Sequence, residues 1–452
     1  MKLAVAGTGY VGLVTAVCLA SVGHDVVCVE TNKEKLELLT NGVSPIFEPN
    51  VEKMMHDHCA HLRYTDDLSF AYSEAEVILI CVGTPERADG YANLNSVFQV
   101  VSQIAAHAGA GCVVAVKSTV PIGTNDRIES MLATECGDVR RFCVVSNPEF
   151  LAQGSAVRDT LHASRIVVGV ESESAEYAMR KLYQNFDAPV IVTDRRSAEM
   201  IKYAANNFLA LKLSYINEIA NLCEMVGADV TSVAQGIGID PRIGAKFLNA
   251  GIGYGGSCFP KDTKALHWLA RYHDYELKTV KAAIEVNENQ KLKLLKKASR
   301  YYPSLEGKTV AVLGLTFKPE TDDLRDAPSL QNLPVLIDCG AFVKVWDPVA
   351  MPAVKKLFPT ELLYCNGIDE TLAGADLCLI FTEWGQIARY DIRMFSRLMK
   401  HPIVLDGRNC YSTDAMLSAG VLYDSIGRPV ADGISFLSKH TDEEPLIVSI
   451  ES

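Results

Sequence analysis

Apolar and polar positions divide the chain into three regimes. In the first, short runs that are apolar nearly throughout recur between helix-length segments: Lys2–Ala6, Asp25–Val29, Glu76–Val82, Cys112–Val116 and Phe142–Ser146. A strand that does not alternate is buried on both faces, as in a parallel sheet covered by helices. In the second regime, Ser197 to Val226 lacks proline and glycine and spaces Ile201, Ala204, Ala205, Phe208, Leu211, Leu213, Ile216 and Ile219 as a helix does. That predicts one helix of roughly thirty residues closed by Gly227, followed by helices over Thr263–Tyr272 and Lys278–Arg300. The lysine-rich face of the last is expected to be solvated. In the third regime, Lys308–Leu315, Ala341–Asp347, Ala375–Phe381 and Ile403–Leu405 restore the strand pattern. The expectation is an α/β protein with two doubly wound domains, joined by a long central helix and an all-α middle domain. The expected boundaries are 1–195, 196–300 and 301–452. From about Asp432 the periodicity fades into an acidic tail, expected to be mobile.

Composition changes this picture little. The 452 residues suffice for two or three domains, and 48% hydrophobic with 22% charged residues is ordinary for a soluble globular protein. A net charge of −12 argues against nucleic acid or an anionic membrane as partner, so a bound anion must be held by local features. The thirteen cysteines include no CxxC pair, and Cys18, Cys28, Cys81 and Cys378 lie in apolar runs. This points to reduced thiols in a cytoplasmic protein, with neither a disulfide framework nor a metal site. The apolar run after Met1-Lys2 resembles a secretory leader, but Gly7, Thr8, Gly9 and Gly12 interrupt it. No segment approaches the ~18 unbroken apolar residues of a membrane span.

The first strand runs into Gly7-Thr8-Gly9-Tyr10-Val11-Gly12, an apolar helix, Gly23 and a second strand that ends in Glu30. This is a complete dinucleotide fingerprint in its required context, and it makes the first domain Rossmann-like. The first glycines allow a tight turn and close approach of a pyrophosphate to the helix N-terminus, and Gly12 lets helix and strand pack. Glu30 lies about twenty residues on, where a carboxylate accepts from the adenosine ribose and repels a 2′-phosphate, so NAD is favoured over NADP. Later strands end in Gly83-Thr84-Pro85, Lys117-Ser118-Thr119 and Asn147-Pro148-Glu149. Ligands of open α/β sheets lie beyond such strand ends, which makes Thr84 and Thr119 candidate cofactor contacts and Glu149 a candidate for holding a water or a proton.

Two further features carry chemistry. Lys202 and Asn206 are four apart and share a helix face, where together they can hydrogen-bond a developing oxyanion. In Gly251-Ile252-Gly253-Tyr254-Gly255-Gly256-Ser257-Cys258-Phe259-Pro260-Lys261-Asp262, four glycines crowd one cysteine. Pro260 suits a first helical turn, which places Cys258 at or just before a helix N-terminus, where exposed amides favour a thiolate. The alternative is a glycine-rich turn with an inert buried cysteine. Upstream, Arg242 could serve a phosphate and Phe247 could stack on a base. The last domain has no G-x-G-x-x-G; Thr316-Phe317-Lys318-Pro319 and Asp322-Asp323-Leu324-Arg325-Asp326 stand in its place. It reads as a nucleotide site distinct from a second NAD site, with Lys318 and Arg408 offered to the same crevice.

In order and spacing these motifs resemble the UDP-glucose dehydrogenase family of nucleotide-sugar dehydrogenases, over residues 1 to about 430. The resemblance rests on GTGYVG at 7–12, Gly83-Thr84-Pro85, Ser118-Thr119-Val120, SNPEFL at 146–151, Lys202 with Asn206, GYGGSCFPKD at 253–262 and FKPETDDLRDAP at 317–328. It departs at Ile252, where many relatives carry proline, and at Ala92-Asn93-Leu94; neither position has an assigned chemical role. The resemblance implies a four-electron oxidation of the sugar C6 alcohol to the acid with two NAD in turn, through a Cys258 thiohemiacetal and thioester. It gives Lys202 and Asn206 the oxyanion and leaves proton transfer among Asp262, Glu149 and Thr119. It implies cofactor contacts at Gly7, Gly9, Tyr10, Val11, Gly12, Glu30, Lys35, Thr84, Thr119, Glu149, Lys261 and Arg325. Substrate contacts are implied at Glu149, Phe150, Leu151, Lys202, Asn206, Arg242, Phe247, Tyr254, Gly255, Lys318 and Arg408. Residues 1–195 would bind NAD, 196–300 would carry catalysis and a homodimer contact, and 301–452 would bind a UDP-sugar. Three other readings remain: the same chemistry on GDP-mannose, UDP-N-acetylglucosamine or UDP-N-acetylmannosamine, a two-electron 3-hydroxyacid dehydrogenase, and an NAD-binding sensor without turnover.

Overall fold

The computed structural model describes residues 1–137 and 142–436. The chain forms two compact units, the first made of Met1–Phe208 with Lys261–Leu277, the second of Leu209–Pro260 with the chain from Lys278 on. The predicted acidic tail lies largely outside the described residues.

The first unit is built on an eight-stranded sheet: β1 Lys2–Ala6, β2 Asp25–Val29, β3 Leu62–Thr65, β4 Val77–Ile80, β5 Val113–Val116, β6 Cys143–Ser146, β7 Ile166–Gly169 and β8 Val190–Thr193. Their order is β3-β2-β1-β4-β5-β6-β7-β8, parallel except between β6 and β7. Strand order reverses between β1 and β4, so the crevice beyond their carboxyl ends is the expected ligand position. One hydrophobic core fills each face of the sheet, as runs such as Val77–Ile80, buried at every position, require. Helix Tyr10–Ser21, buried along Gly12–Ala20, packs across the first face, and Gly23 (φ +92°) turns the chain back into β2.

The second unit repeats the device with β9 Thr309–Leu313, β10 Phe342–Trp346, β11 Leu363–Tyr364, β12 Leu377–Ile380, β13 Ile403–Asp406, β14 Leu422–Ser425 and β15 Ala431–Asp432. The order is β11-β10-β9-β12-β13-β14-β15, antiparallel only at β15. The long helix is Arg195–Val226, two residues longer at its start than its apolar pattern, and Gly227 (φ +73°) ends it. β3, β7, β8, β11, β14 and β15 were not anticipated.

The expectation of a solvated lysine face on 278–300 holds for Lys278, Lys281 and Lys296 and fails for the other lysines. That stretch is two helices, Lys278–Lys291 and Lys293–Tyr301. Lys291 and Lys297 are buried, and Lys293 is mostly so. Lys297 Nζ lies 2.9 Å from Glu224 and 2.6 Å from Asp424, Lys293 lies 3.0 Å from Glu224, and Tyr301 donates to Asp424 at 2.9 Å. The partners come from the long helix and from β14, far away in sequence, which is why local pattern could not reveal them.

Removing one member of such a buried set strands the rest, at a cost of about 3–5 kcal/mol. Lys297→Met is therefore expected to lower the thermal midpoint of the second unit by several degrees, while Lys296→Met, on the exposed face, leaves it unchanged. Burial alone would raise the Glu224 carboxyl, but Lys297, the Gly427 amide and Lys293 outweigh it and hold it below the ordinary 4.5. The stability this lends is full above pH 4.5 and is lost as the pH falls through the depressed value. In Lys297→Met that part of the acid-side loss should shrink, as pH-dependent thermal unfolding would show.

Candidate active site

The glycine turn after β1 fits a dinucleotide. Gly7 has φ +95°, and a Cβ on Gly12 would lie 1.9 Å from Gly7 O, so neither position admits a side chain. Gly9 caps helix Tyr10–Ser21 without a side-chain hydrogen bond, which leaves first-turn amides directed outward for an anion. Glu30 follows β2 directly; its carboxylate accepts from Thr8 Oγ1 and, at 2.8 Å, from Asn32 N. Tyr10 and Val11 open the helix, with Tyr10 Oη donating to Phe47 O at 3.1 Å. Lys35 is exposed on helix Lys33–Thr40 and meets Asn32 only through its amide.

Beyond the ends of β4, β5 and β6, the first unit gathers most of the other predicted residues. Lys202 Nζ, buried, donates to Glu149 Oε1 at 3.0 Å, while Glu149 Oε2 accepts from Leu151 N at 2.8 Å. The Lys202 ammonium also lies 5.4 Å from the Phe150 ring centroid. One helical turn on, Asn206 Nδ2 donates to Asp262 Oδ2 at 2.6 Å, and Asp262 Oδ1 accepts from Lys261 Nζ at 2.6 Å. Lys261 also reaches Thr84 Oγ1 at 3.5 Å, and Thr84 Oγ1 donates to Thr119 O at 2.9 Å. Glu149, Lys202, Asn206 and Asp262 are all buried. Sequence positions from 84 to 262 thus converge on one patch of paired charges and amides.

Cys258 precedes helix Phe259–Tyr272, whose first turn contains Pro260, Lys261 and Asp262. None of the thirteen cysteines is disulfide-bonded, and Cys258, Cys59 and Cys339 are the exposed ones. Burial pushes the Cys18, Cys81 and Cys112 thiols up to about 12, which keeps them protonated and inert. Ser257 Oγ lies 3.7 Å from the Cys258 sulfur. The loop before it is tightly enclosed: a Cβ on Gly255 would lie 2.3 Å from Asp326 O, and one on Gly256 would lie 2.8 Å from the Phe317 ring. Phe259 sits between Phe247 and Tyr254, at centroid distances of 6.2 and 5.7 Å, and Phe247 itself takes φ +64°.

In the second unit Arg408 donates to Phe381 O at 2.8 Å and Phe317 O at 2.6 Å, and Lys318 Nζ lies 5.6 Å from the Phe317 ring centroid. Arg325 forms a two-point contact with Asp323 at 2.8 and 2.7 Å, and Arg242 does the same with Asp240 on an exposed loop. The acid that follows β10, Asp347, is buried and accepts from Leu315 N at 2.7 Å and from Trp384 Nε1 at 3.0 Å. The carboxylate position that Glu30 occupies in the first unit is therefore consumed by the fold in the second. The sequence reading missed Asn287, which pairs with the backbone of Tyr254; a single asparagine in a mixed helix gives no periodic or motif signal.

Two doubly wound units, a dinucleotide cradle in the first, a self-filled acid position in the second and a paired lysine–asparagine face at the strand ends define an NAD-dependent dehydrogenase. Residues 1–187, 196–289 and 311–413 match, in turn, the NAD binding, central and UDP binding domains of the UDP-glucose/GDP-mannose dehydrogenase family. The chain belongs to that family. It is 45% identical over 430 residues to the UDP-glucose 6-dehydrogenase YwqF of Bacillus subtilis (strain 168), covering 95% of this chain and 98% of that protein. It is 45% identical over 440 residues to a UDP-glucose 6-dehydrogenase of Rhizobium meliloti (strain 1021), covering 95% of this chain and 100% of that protein. A solved UDP-glucose dehydrogenase from Pyrobaculum islandicum superposes with TM-score 0.88 at 35% identity, covering 94% of this chain and 98% of that one.

The cofactor turn tolerates no added carbon. Overpacking of this kind costs about 1–3 kcal/mol, and tenfold in affinity is about 1.4 kcal/mol, so Gly12→Ala should weaken NAD binding by about tenfold or more. Titration calorimetry with NAD checks this, and an unchanged Kd would refute the close-approach argument.

Proposed function

We propose that the protein oxidises UDP-glucose to UDP-glucuronate in a four-electron reaction with two NAD in turn. The observation that carries this reading is the 2.6 Å contact of Asp262 with Asn206, four residues after the exposed Cys258. It links the helix that starts at the thiol to the Lys202–Asn206 face, with Lys261 and Thr84 following in the same set of contacts. We assign 1–195 to the cofactor, 196–300 to catalysis and 301–452 to the UDP-sugar.

Gly7, Gly9, Tyr10, Val11, Gly12 and Glu30 would hold NAD, which when bound accepts a hydride from the sugar C6 carbon at the alcohol level and again at the thiohemiacetal level. Lys202 and Asn206 donate to the C6 oxygen and stabilise its negative charge as it develops. The Cys258 sulfur adds to the aldehyde carbon and forms the C–S bond that makes the second oxidation a thioester-forming step. Water then attacks that carbonyl carbon; the C–S bond breaks, the thiol is regenerated and the carboxylate leaves. Glu149 and Asp262 each have both oxygens engaged already, on Lys202 with Leu151 N and on Lys261 with Asn206. That supports both carboxylates as groups that orient the donors, with Thr119 beside them through Thr84. Phe150, Leu151, Phe247, Tyr254, Gly255, Lys318 and Arg408 are assigned to the substrate, and Lys35, Thr84, Thr119, Glu149, Lys261 and Arg325 to the cofactor side.

Phe208, Tyr215, Leu222 and Met225 leave an exposed apolar stripe on the long helix, which supports a homodimer packed along it, with Arg242 reaching the partner's substrate. Undisulfided cysteines fit a cytoplasmic setting. No helix among the described residues is long and apolar enough to cross a membrane. Leu222→Glu should shift the mass seen by light scattering from dimer to monomer; a monomeric unsubstituted protein overturns this interface.

The decisive assay measures NADH formed per nucleotide sugar consumed, with UDP-glucose, GDP-mannose, UDP-N-acetylglucosamine and UDP-N-acetylmannosamine. Two NADH from UDP-glucose, with turnover falling at least about a hundredfold in Cys258→Ser, is the expected result. Two NADH from another sugar moves only the substrate. One NADH with aldehyde released, or full activity of Cys258→Ser, overturns the covalent step, and bound NAD without turnover favours a sensor.

A further inference from the structure

The loop that presents Cys258 is gripped by side-chain amides from two helices. Asn287 on helix Lys278–Lys291 meets Tyr254 twice: its Oδ1 accepts from Tyr254 N at 2.8 Å, and its Nδ2 donates to Tyr254 O at 3.1 Å. Gln290, three residues on, donates to Gly251 O at 2.7 Å, and Asn217 on the long helix accepts from Gly251 N at 2.9 Å. Asn221 donates to Gln290 Oε1 at 3.0 Å and so orients the Gln290 amide. Asn217, Asn287 and Gln290 are buried. On its other side Ile252 N donates to Gly407 O and Gly256 N to Arg325 O, both at 2.8 Å, and the Phe317 ring lies against Gly256.

A buried loop without regular structure must find partners for its own amides and carbonyls. Separate hydroxyls or waters could satisfy those groups one at a time. A carboxamide presents donor and acceptor in one plane, so the pair of bonds to Tyr254 also fixes the orientation of the backbone on both sides of that residue. The fit is close, because a Cβ on Gly253 would lie 2.9 Å from Asn287 Oδ1 and leaves no room for an intervening water. The residues held by the amides end at Tyr254, four positions before Cys258, and Gly256, held by Arg325 O, lies two before it.

We propose that Asn287, with Gln290 beside it, is a positioning residue for Cys258, holding the Gly251–Gly256 backbone in the conformation that delivers the sulfur to the substrate carbon. The assignment rests on the reading of Cys258 as nucleophile. Small displacements of a reacting group are costly in rate, whereas the cofactor cradle of the first unit contains none of these amides.

The test uses full-length Asn287→Ala and Asn287→Asp, the second of which keeps an acceptor for Tyr254 N. Three quantities are read: kcat and KM with NAD and UDP-glucose, the iodoacetamide alkylation rate at the Cys258 peptide by mass spectrometry, and Tm. Asn287→Ala is expected to cut kcat by about tenfold to a hundredfold. Its KM for NAD should stay within about twofold, and alkylation should change at Cys258 but not at exposed Cys59 or Cys339. Asn287→Asp should recover part of kcat. Leu379→Ala, in the buried core of the second sheet, controls for stability and should keep kcat below its own Tm. Wild-type kcat and Cys258 alkylation in both Asn287 variants overturn the proposal, as does an equal loss of kcat in Leu379→Ala. Full activity of Cys258→Ser would instead remove the nucleophile, and the alkylation rates across the Asn287 series would still decide whether the loop is positioned by the amide.

Discussion

A single steric constraint recurs wherever this protein is built to do chemistry: backbone approaches backbone so closely that no Cβ fits between. A Cβ on Gly12 would lie 1.9 Å from Gly7 O, and one on Gly255 would lie 2.3 Å from Asp326 O. Gly12 stands in the helix that follows β1, and the Gly255 loop packs against the turns that follow β9 and β13. Close packing of backbone supplies fixed dipoles without mobile side chains, and it excludes water from the polar groups beside it. The glycines surrender conformational entropy in exchange for that rigidity.

The same doubly wound device is used twice with opposite outcomes, and one carboxylate decides which. In the first unit Glu30 accepts, among the described residues, from Thr8 and Asn32 on neighbouring loops and keeps accepting capacity for a ribose. In the second, Asp347 accepts from Leu315, Trp384, Val349 and Ala350, which ties together the turns after β9, β10 and β12. A Cβ on Gly314 there would lie 2.5 Å from the Thr382 side chain, so the turn is already filled by protein. The turn that takes a dinucleotide in the first unit is thus occupied by protein in the second.

Legibility in the sequence followed how local each signal was. The fingerprint at 7–12, the apolar strands, the long helix and the cysteine before Pro260 are written in contiguous residues, and all are found in the folded chain. β7, with its run Ile166–Gly169, and β8 were overlooked because short runs flanked by polar residues are ambiguous without knowing what covers them. The burial of Lys291 and Lys297 was misjudged because lysine is normally exposed, and the acids that compensate Lys297, Glu224 and Asp424, come from other elements. Asn287 was invisible for the same reason: its partner is the backbone of a loop, and backbone carries no letter in the sequence.

The placing of charge at the strand ends has its own logic. Lys202 with Glu149, both buried, and Lys261 with buried Asp262 are two opposite pairs, so the patch is close to neutral although it contains four ionisable side chains. A lone buried ammonium would be driven toward its neutral form and would lose its strength as a donor, whereas a paired one stays charged at moderate desolvation cost. Asn206 complements this, donating through its amide without adding charge. Its amide donates to Asp262, whose second oxygen is fixed by Lys261, so the amide cannot turn away without breaking a contact at 2.6 Å. The patch is thus rigid for the same reason it is neutral: each charge is held in place by the group that cancels it.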